Sequence, residues 1–184
     1  MLDLVKDQTQ RIDATFLEPA CGSGNFLAEI LRRKLQIAEK YKKIQLDYER
    51  NAVLAVASLY GIELLPDNVA ECRQRLLAIF QSHYQRLFPE TSQAKCLRAV
   101  EHILSKNIVC GDALTMQTAD KTPLCFIKWK ISTGNLIQRH DFIYHDLVHN
   151  LSDLPLFSDE GEEAFIPQAH HSYPLIHFLE LGND

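Results

Sequence analysis

Along the first 110 residues, short apolar runs alternate with longer stretches in which apolar residues recur every three or four positions. Thr15 to Glu18 is a short β-rich run; after a glycine-containing turn, Phe26, Leu27, Ile30, Leu31 and Leu35 return at helical spacing. Strand, turn and helix are predicted in that order. Residues 50 to 58, Arg-Asn-Ala-Val-Leu-Ala-Val-Ala-Ser, read as a short apolar helix, and Leu59 to Leu64 as a second buried strand. Pro66 suits the first turn of a helix, and Val69, Leu76, Phe80, Tyr84 and Leu87 recur with a period of about 3.6 until Pro89 ends it. A helix from about Ser92 to Ser105 and a third strand, Asn107 to Cys110, closed by Gly111-Asp112, complete the regular part. Apolar strands alternating with helices predict an α/β fold, a mostly parallel sheet of right-handed crossovers flanked by helices.

Beyond Thr115 the pattern loosens. Leu124 to Ile131 and Asp141 to Tyr144 are strand-like, and Gly134-Asn135 between them predicts a turn, hence an antiparallel hairpin. From Leu151 the chain has Pro155, Pro167, Pro174 and an acidic patch at Asp159 to Glu163. The expected organisation is one domain over residues 1–150 and a loop-rich acidic tail over 151–184 packed on it.

At 184 residues and 46% hydrophobic, the chain is long enough for one domain with a sizeable core. No apolar run approaches the roughly 20 residues of a membrane span, and the opening Met-Leu-Asp-Leu-Val-Lys lacks the layout of a signal peptide, so no membrane partner is expected and the chain reads as cytoplasmic. Cys21, Cys72, Cys96, Cys110 and Cys125 are scattered with no C-x-x-C pair, which predicts reduced, mostly buried thiols. A net charge of −5 argues against a self-sufficient nucleic-acid binder, because phosphate contacts need a basic surface. Arg32, Arg33, Lys34, Lys40, Lys42 and Lys43 do cluster, but read as the solvated face of an amphipathic helix; residues 146 to 184 hold eight acids and no Lys or Arg.

The stretch that carries chemistry runs from Phe16 to Leu27. In an open α/β sheet, ligands bind beyond the carboxyl ends of the strands, where a tight turn brings backbone close to them. Gly22 and Gly24 remove the Cβ atoms that would block that approach and permit positive φ. The spacing is not that of the dinucleotide fingerprint G-x-G-x-x-G, since Leu27 stands where the third small residue belongs.

The run Leu-Glu-Pro-Ala-Cys-Gly-Ser-Gly-Asn-Phe-Leu resembles, over about eleven contiguous positions, the first motif of adenine-N6 DNA methyltransferases of restriction-modification systems. Tyr60-Gly61-Ile62-Glu63-Leu64 with Pro66-Asp67-Asn68-Val69-Ala70 resembles the second motif of that family, and Asn107-Ile108-Val109-Cys110-Gly111-Asp112-Ala113-Leu114 the third. The likeness covers roughly residues 1 to 115. It implies a Rossmann-like methyltransferase fold with S-adenosylmethionine as cofactor, held by Glu18, Pro19, Ala20, Cys21, Gly22, Gly24, Asn25, Phe26, Glu63, Leu64, Asp112 and Ala113. Within that set, Glu63 at the end of the second strand is suited to accept hydrogen bonds from two ribose hydroxyls, and Leu64 to pack on the adenine ring. Asp112 is suited to accept from the exocyclic amine with Ala113 offering backbone polarity, and Glu18 to meet the methionine end.

The same resemblance exposes gaps. Adenine-N6 transfer needs a flipped base, its amino group held by an Asn or Asp and a carbonyl and its ring stacked on an aromatic, which the family supplies with an Asn-Pro-Pro-Tyr-type turn after the fourth strand. The chain has no Pro-Pro pair. Asp141-Phe142-Ile143-Tyr144-His145-Asp146 is the nearest candidate and lacks the rigid turn, so no catalytic residue is assigned. Only about thirteen residues precede the first strand, and no target-recognition domain follows. The expectation is therefore a domain incomplete relative to the full family, engaging DNA only with a partner chain or missing domain, as one subunit of a restriction-modification system. The alternatives are a non-catalytic binding or regulatory subunit and a methyltransferase with a non-DNA acceptor. His145 and His149, with His170, His171 and His177, raise a metal site, but packed or surface histidines fit the spacing better. Trp129 between Lys128 and Lys130 reads as a core aromatic on an alternating strand rather than a base-stacking platform.

Overall fold

A computed structural model of the chain describes residues 11–147 and 169–183. The chain enters through strand β1 (Phe16–Glu18), turns at Gly22 to Gly24 and runs up helix α1 (Asn25–Ala38). A single 3-10 turn, Glu39–Tyr41, leads to α2 (Gln45–Ala57), then β2 (Leu59–Glu63), α3 (Pro66–Leu87), α4 (Ala94–Asn107) and β3 (Ile108–Cys110). The three strands form a parallel sheet in the order β1-β2-β3, with Glu18 opposite Gly61 and Glu63 opposite Cys110. Glu18, Glu63 and Asp112 therefore come to the same, carboxyl end of the sheet.

The helices follow their apolar spacing. α1 buries Leu27, Ala28, Ile30, Leu31, Leu35 and Ala38, and α3 buries Val69, Cys72, Leu76, Phe80 and Tyr84. α2 is longer than the apolar run at 50 to 58 implies. Its first turns carry polar residues whose work is internal: Glu49 is fully buried and accepts from Gln45 Nε2 at 2.8 Å, from the Tyr84 hydroxyl and from Gln93 Nε2. Helical burial of a carboxylate leaves no mark on the apolar pattern. The basic cluster needs a similar correction. Arg32, Lys40, Lys42 and Lys43 are exposed, but Lys34 lies one helical turn from Ile30 and is wholly buried. Its Nζ donates to Ile12 O at 2.9 Å, and to Ala14 O and Ser58 Oγ, fastening the segment before β1 to α1.

A second sheet is antiparallel. β4 (Cys125–Ile131) pairs with β5 (Leu136–Ile143) around a turn in which Gly134 and Asn135 take positive φ, the hairpin the Gly-Asn pair predicts. β5 begins five residues before Asp141, because Gln138, Arg139 and His140 pair through backbone while their polar side chains hide the strand pattern. In the chain's last part, β6 (His171–Ser172) and β7 (Ile176–His177) both add to β5, so the loop-rich reading of residues 169–183 misses these two pairings. Residues 148–168, including His149 and the acidic patch, lie outside the described residues.

The hairpin covers one face of β2. A Cβ on Gly61 would point at Cys21 and Leu27 on the helical side, so Tyr60 and Ile62 face the other way. The Tyr60 ring stacks on Phe126 at 4.1 Å and its hydroxyl donates to Ile127 O at 2.6 Å. Trp129 is buried, and its Nε1 donates to Asn107 Oδ1 at 2.8 Å; Asn107 Nδ2 in turn donates to Ala57 O and Leu59 O. Lys128 and Lys130 point to solvent, in keeping with the alternating-strand reading. No helix among the described residues is long and apolar enough to cross a membrane.

Candidate functional site

Beyond the end of β1 the chain must reverse into α1 within six residues. Pro19 and Ala20 are exposed at the start of that turn, and Cys21 turns inward, its N–H donating to Ile62 O at 3.0 Å. Gly22 and Gly24 then adopt φ of 52° and 82°, left-handed values that a side chain resists. The two glycines serve different ends. A Cβ on Gly22 would meet nothing within 4 Å, so that flank of the turn is open to an incoming group. A Cβ on Gly24 would stand 2.5 Å from Cys72 Sγ, so that glycine exists for close packing of the turn on α3. Asn25 opens α1, with Oδ1 accepting from Arg75, and Phe26 packs half-buried against the core.

The end of β2 is tied to the turn through one carboxylate. Glu63 Oε2 accepts from Gly22 N at 2.9 Å, and Oε1 accepts from Leu65 N at 3.1 Å and Asn68 Nδ2 at 3.4 Å. The Leu65 N–H, with Asn68 and the Gly22 N–H behind it, holds the Glu63 carboxyl below its ordinary range. Glu63 is thus an anion in place before any ligand arrives. Leu64 beside it is 65% exposed, an apolar side chain with no core to fill. Across the sheet Gly111 N donates to Glu63 O at 2.9 Å, placing the β3 turn next to it. Asp112 there accepts from Leu114 N at 2.8 Å, which keeps its carboxyl ionised, and Ala113 is half-exposed alongside. Glu18 is half-buried at the end of β1.

The three strand-end acids and the two-glycine turn are therefore brought to one end of the sheet. Asn68 escaped the sequence reading as a site residue. Its signal was its place in the first turn of α3, five residues after Glu63, where a side-chain amide can reach back to the strand end. The Asp141 to Asp146 run sits elsewhere in the chemistry. Asp141 is buried and accepts from Arg139 Nε and Nη2, each at 2.6 Å, whereas Tyr144 is half-buried and stacks near Phe126, and Asp146 is exposed beside His145.

The parallel sheet, the glycine turn and the acids at and just beyond the strand ends define a class, α/β domains with polar groups gathered at the carboxyl edge of the sheet. The family comparison narrows it: the model of the DNA-methyltransferase domain of MmeI matches residues 2–130, and the chain belongs to that family. No curated protein and no solved structure matches the chain. Membership implies a methyl-donor cofactor, and the residues fit one on two observations: the open flank at Gly22, and the preformed Glu63 anion hydrogen-bonded to that same turn.

Proposed function

We propose that this chain is the S-adenosylmethionine-binding portion of an adenine-N6 DNA methyltransferase of a restriction-modification system, with a Rossmann-like sheet. The observation that carries the reading is the bond from Gly22 N to Glu63 Oε2. It makes the turn and the acid one rigid unit, so the ribose hydroxyls and the methionine end meet groups already in register. In this reading Glu63 accepts from the ribose hydroxyls while Leu64 covers the adenine ring. Asp112 and Ala113 receive the exocyclic amine, and Glu18 with the Pro19 to Phe26 turn surrounds the methionine end. The bound group supplies an electrophilic methyl; the residues of this chain bind and orient it. Adenine specificity rests on the motif resemblance, and DNA engagement on a partner chain or further domain.

Replacing Glu63 tests the assignment. Glu63→Ala removes two charge-assisted bonds to the ribose and should weaken S-adenosylhomocysteine binding at least about tenfold in equilibrium dialysis. Because the folded carboxyl titrates below its ordinary value, wild-type affinity should stay level from about pH 8 down to about pH 5.5. An unchanged affinity in Glu63→Ala would remove the ribose role.

A further inference from the structure

Away from the carboxyl edge of the sheet, α1 and α3 leave a groove between their outer faces. The two helices run side by side in the same direction. Gly24 packs on Cys72 near their starts, Asn25 Oδ1 accepts from Arg75, and Glu39, just past the end of α1, accepts from Arg86 Nη2 at 2.8 Å near the end of α3. The groove holds a cavity of about 560 Å³, inside the range of roughly 300 to 1,000 Å³ usual for small-molecule sites. Its floor is Leu35, Ala78 and Ile79, and its rim carries Arg32, Arg75 and Arg86. Arg75, Ile79, Ser82 and Arg86 stand at i, i+4, i+7 and i+11, so they form one stripe of α3 about 16 Å long. No acidic side chain is among the residues that line the cavity.

Carboxylates outside the cavity steady the arginines. Arg32 Nη1 lies 3.8 Å from Glu29 Oε2, and Arg75 Nη2 lies 2.6 Å from Glu71 Oε1, each acid one turn earlier on the same helix. Arg86 donates from Nη2 both to Glu39 and, at 3.1 Å, to His83 Nε2, so among the described residues its Nε and Nη1 donors remain for a ligand. With Nε2 accepting, His83 Nδ1–H donates to the Tyr48 hydroxyl at 3.0 Å. Burial, with Arg86 beside it, holds the His83 ring below its ordinary range, and it stands in the groove as a neutral wall. A guanidinium fork matches phosphate oxygens two at a time, and a fork already held in place loses less freedom when a ligand arrives.

We propose that the groove between α1 and α3 is a second binding site, for a nucleotide-sized organic diphosphate. The diphosphate meets the arginine rim, and the organic body covers Leu35, Ala78 and Ile79 with Gln36 and Ser82 in reach for hydrogen bonds. An apolar floor alone would suit an uncharged molecule, and arginines alone an inorganic ion. Both together, in a cavity of this volume, select an anion with an apolar body. The chain's net charge of −5 favours such a ligand over a nucleic-acid backbone, which needs a broad basic surface. The site shares no lining residue with the glycine turn or the strand-end acids, so it stands apart from the cofactor reading.

The experiment titrates the full chain with uridine diphosphate, whose pyrimidine avoids any site for adenine, and follows backbone amide shifts by NMR. Uridine and inorganic pyrophosphate are the controls that lack the charge and the body. Saturable shifts at residues 32 to 36 and 75 to 86 are expected, with pyrophosphate at least about fivefold weaker and uridine without effect. Arg32→Gln with Arg86→Gln should weaken uridine diphosphate at least about tenfold. If that double variant folds poorly, the wild-type shift map decides. No shifts at 5 mM (about the weakest binding worth calling a site), or shifts confined to residues 22 to 25, 63 to 65 and 112 to 114, would overturn the proposal. Pyrophosphate binding as well as uridine diphosphate would overturn the role of the apolar floor and with it the organic ligand. A single-stranded oligonucleotide that moves the same amides at least tenfold more tightly would overturn the small ligand in favour of a nucleic-acid backbone.

Discussion

Two glycines two residues apart look interchangeable in the sequence, yet the structure gives them different loads. Gly22 needs only its positive φ, whereas Gly24 needs both its φ and the absence of a Cβ against Cys72. Gly22→Ala should cost about 1 to 2 kcal/mol of stability through backbone strain. Gly24→Ala adds overpacking against the thiol and should cost at least about 1 kcal/mol more. Urea denaturation of the two variants checks the order, and equal losses would show that the Cys72 contact yields freely. The glycines and the strand-end acids were legible as residues because each stands where a strand meets a turn. What each acid touches was not, since Glu63 reaches 41 positions back to the Gly22 N–H and no local pattern records such a bond.

At the scale of elements, apolar spacing located β2 and α3 to within a residue or two, placed the start of α1, and left polar-rich segments short. α2 lost its first turns to Gln45 and Glu49, and β5 lost its first half to Gln138, Arg139 and His140. In each case polar side chains work inside the fold or along one solvent face. The same blindness hid how the two sheets join. Asn107 closes α4 and holds Ala57 O, Leu59 O and the Trp129 indole at once, so a single buried amide links the parallel sheet to the hairpin. Asn107→Ala would leave the indole N–H and two carbonyls without those bonds and should destabilise the chain by about 2 to 3 kcal/mol. A loss below about 0.5 kcal/mol, read by chemical denaturation with tryptophan fluorescence as the probe, would mean that the hairpin is not coupled to the sheet through this residue.

For the whole molecule, the α/β class and parallel sheet followed from the order of elements, and membership of the DNA-methyltransferase family followed from the motif runs. The packing of the hairpin across Tyr60 and Phe126 followed from neither, because it depends on which face of β2 the helices leave uncovered. Among the described residues, the proposed site offers groups for a cofactor, and the Asp141 to Asp146 run lacks the rigid proline turn that would receive a flipped base. The 184-residue chain by itself should therefore transfer no measurable methyl to adenine in duplex DNA, even at low salt where phosphate attraction is strongest. Tritium from labelled cofactor at adenine N6 above a Gly22→Asp control would contradict this, and its loss in Asp146→Ala would move catalysis to the Asp141 to Asp146 run. The central claim, that the turn and strand-end acids hold S-adenosylmethionine, is tested most directly by calorimetric titration of the reduced wild-type chain with that cofactor. Saturable heat at one site per chain is the predicted result, and no heat at millimolar cofactor would contradict it.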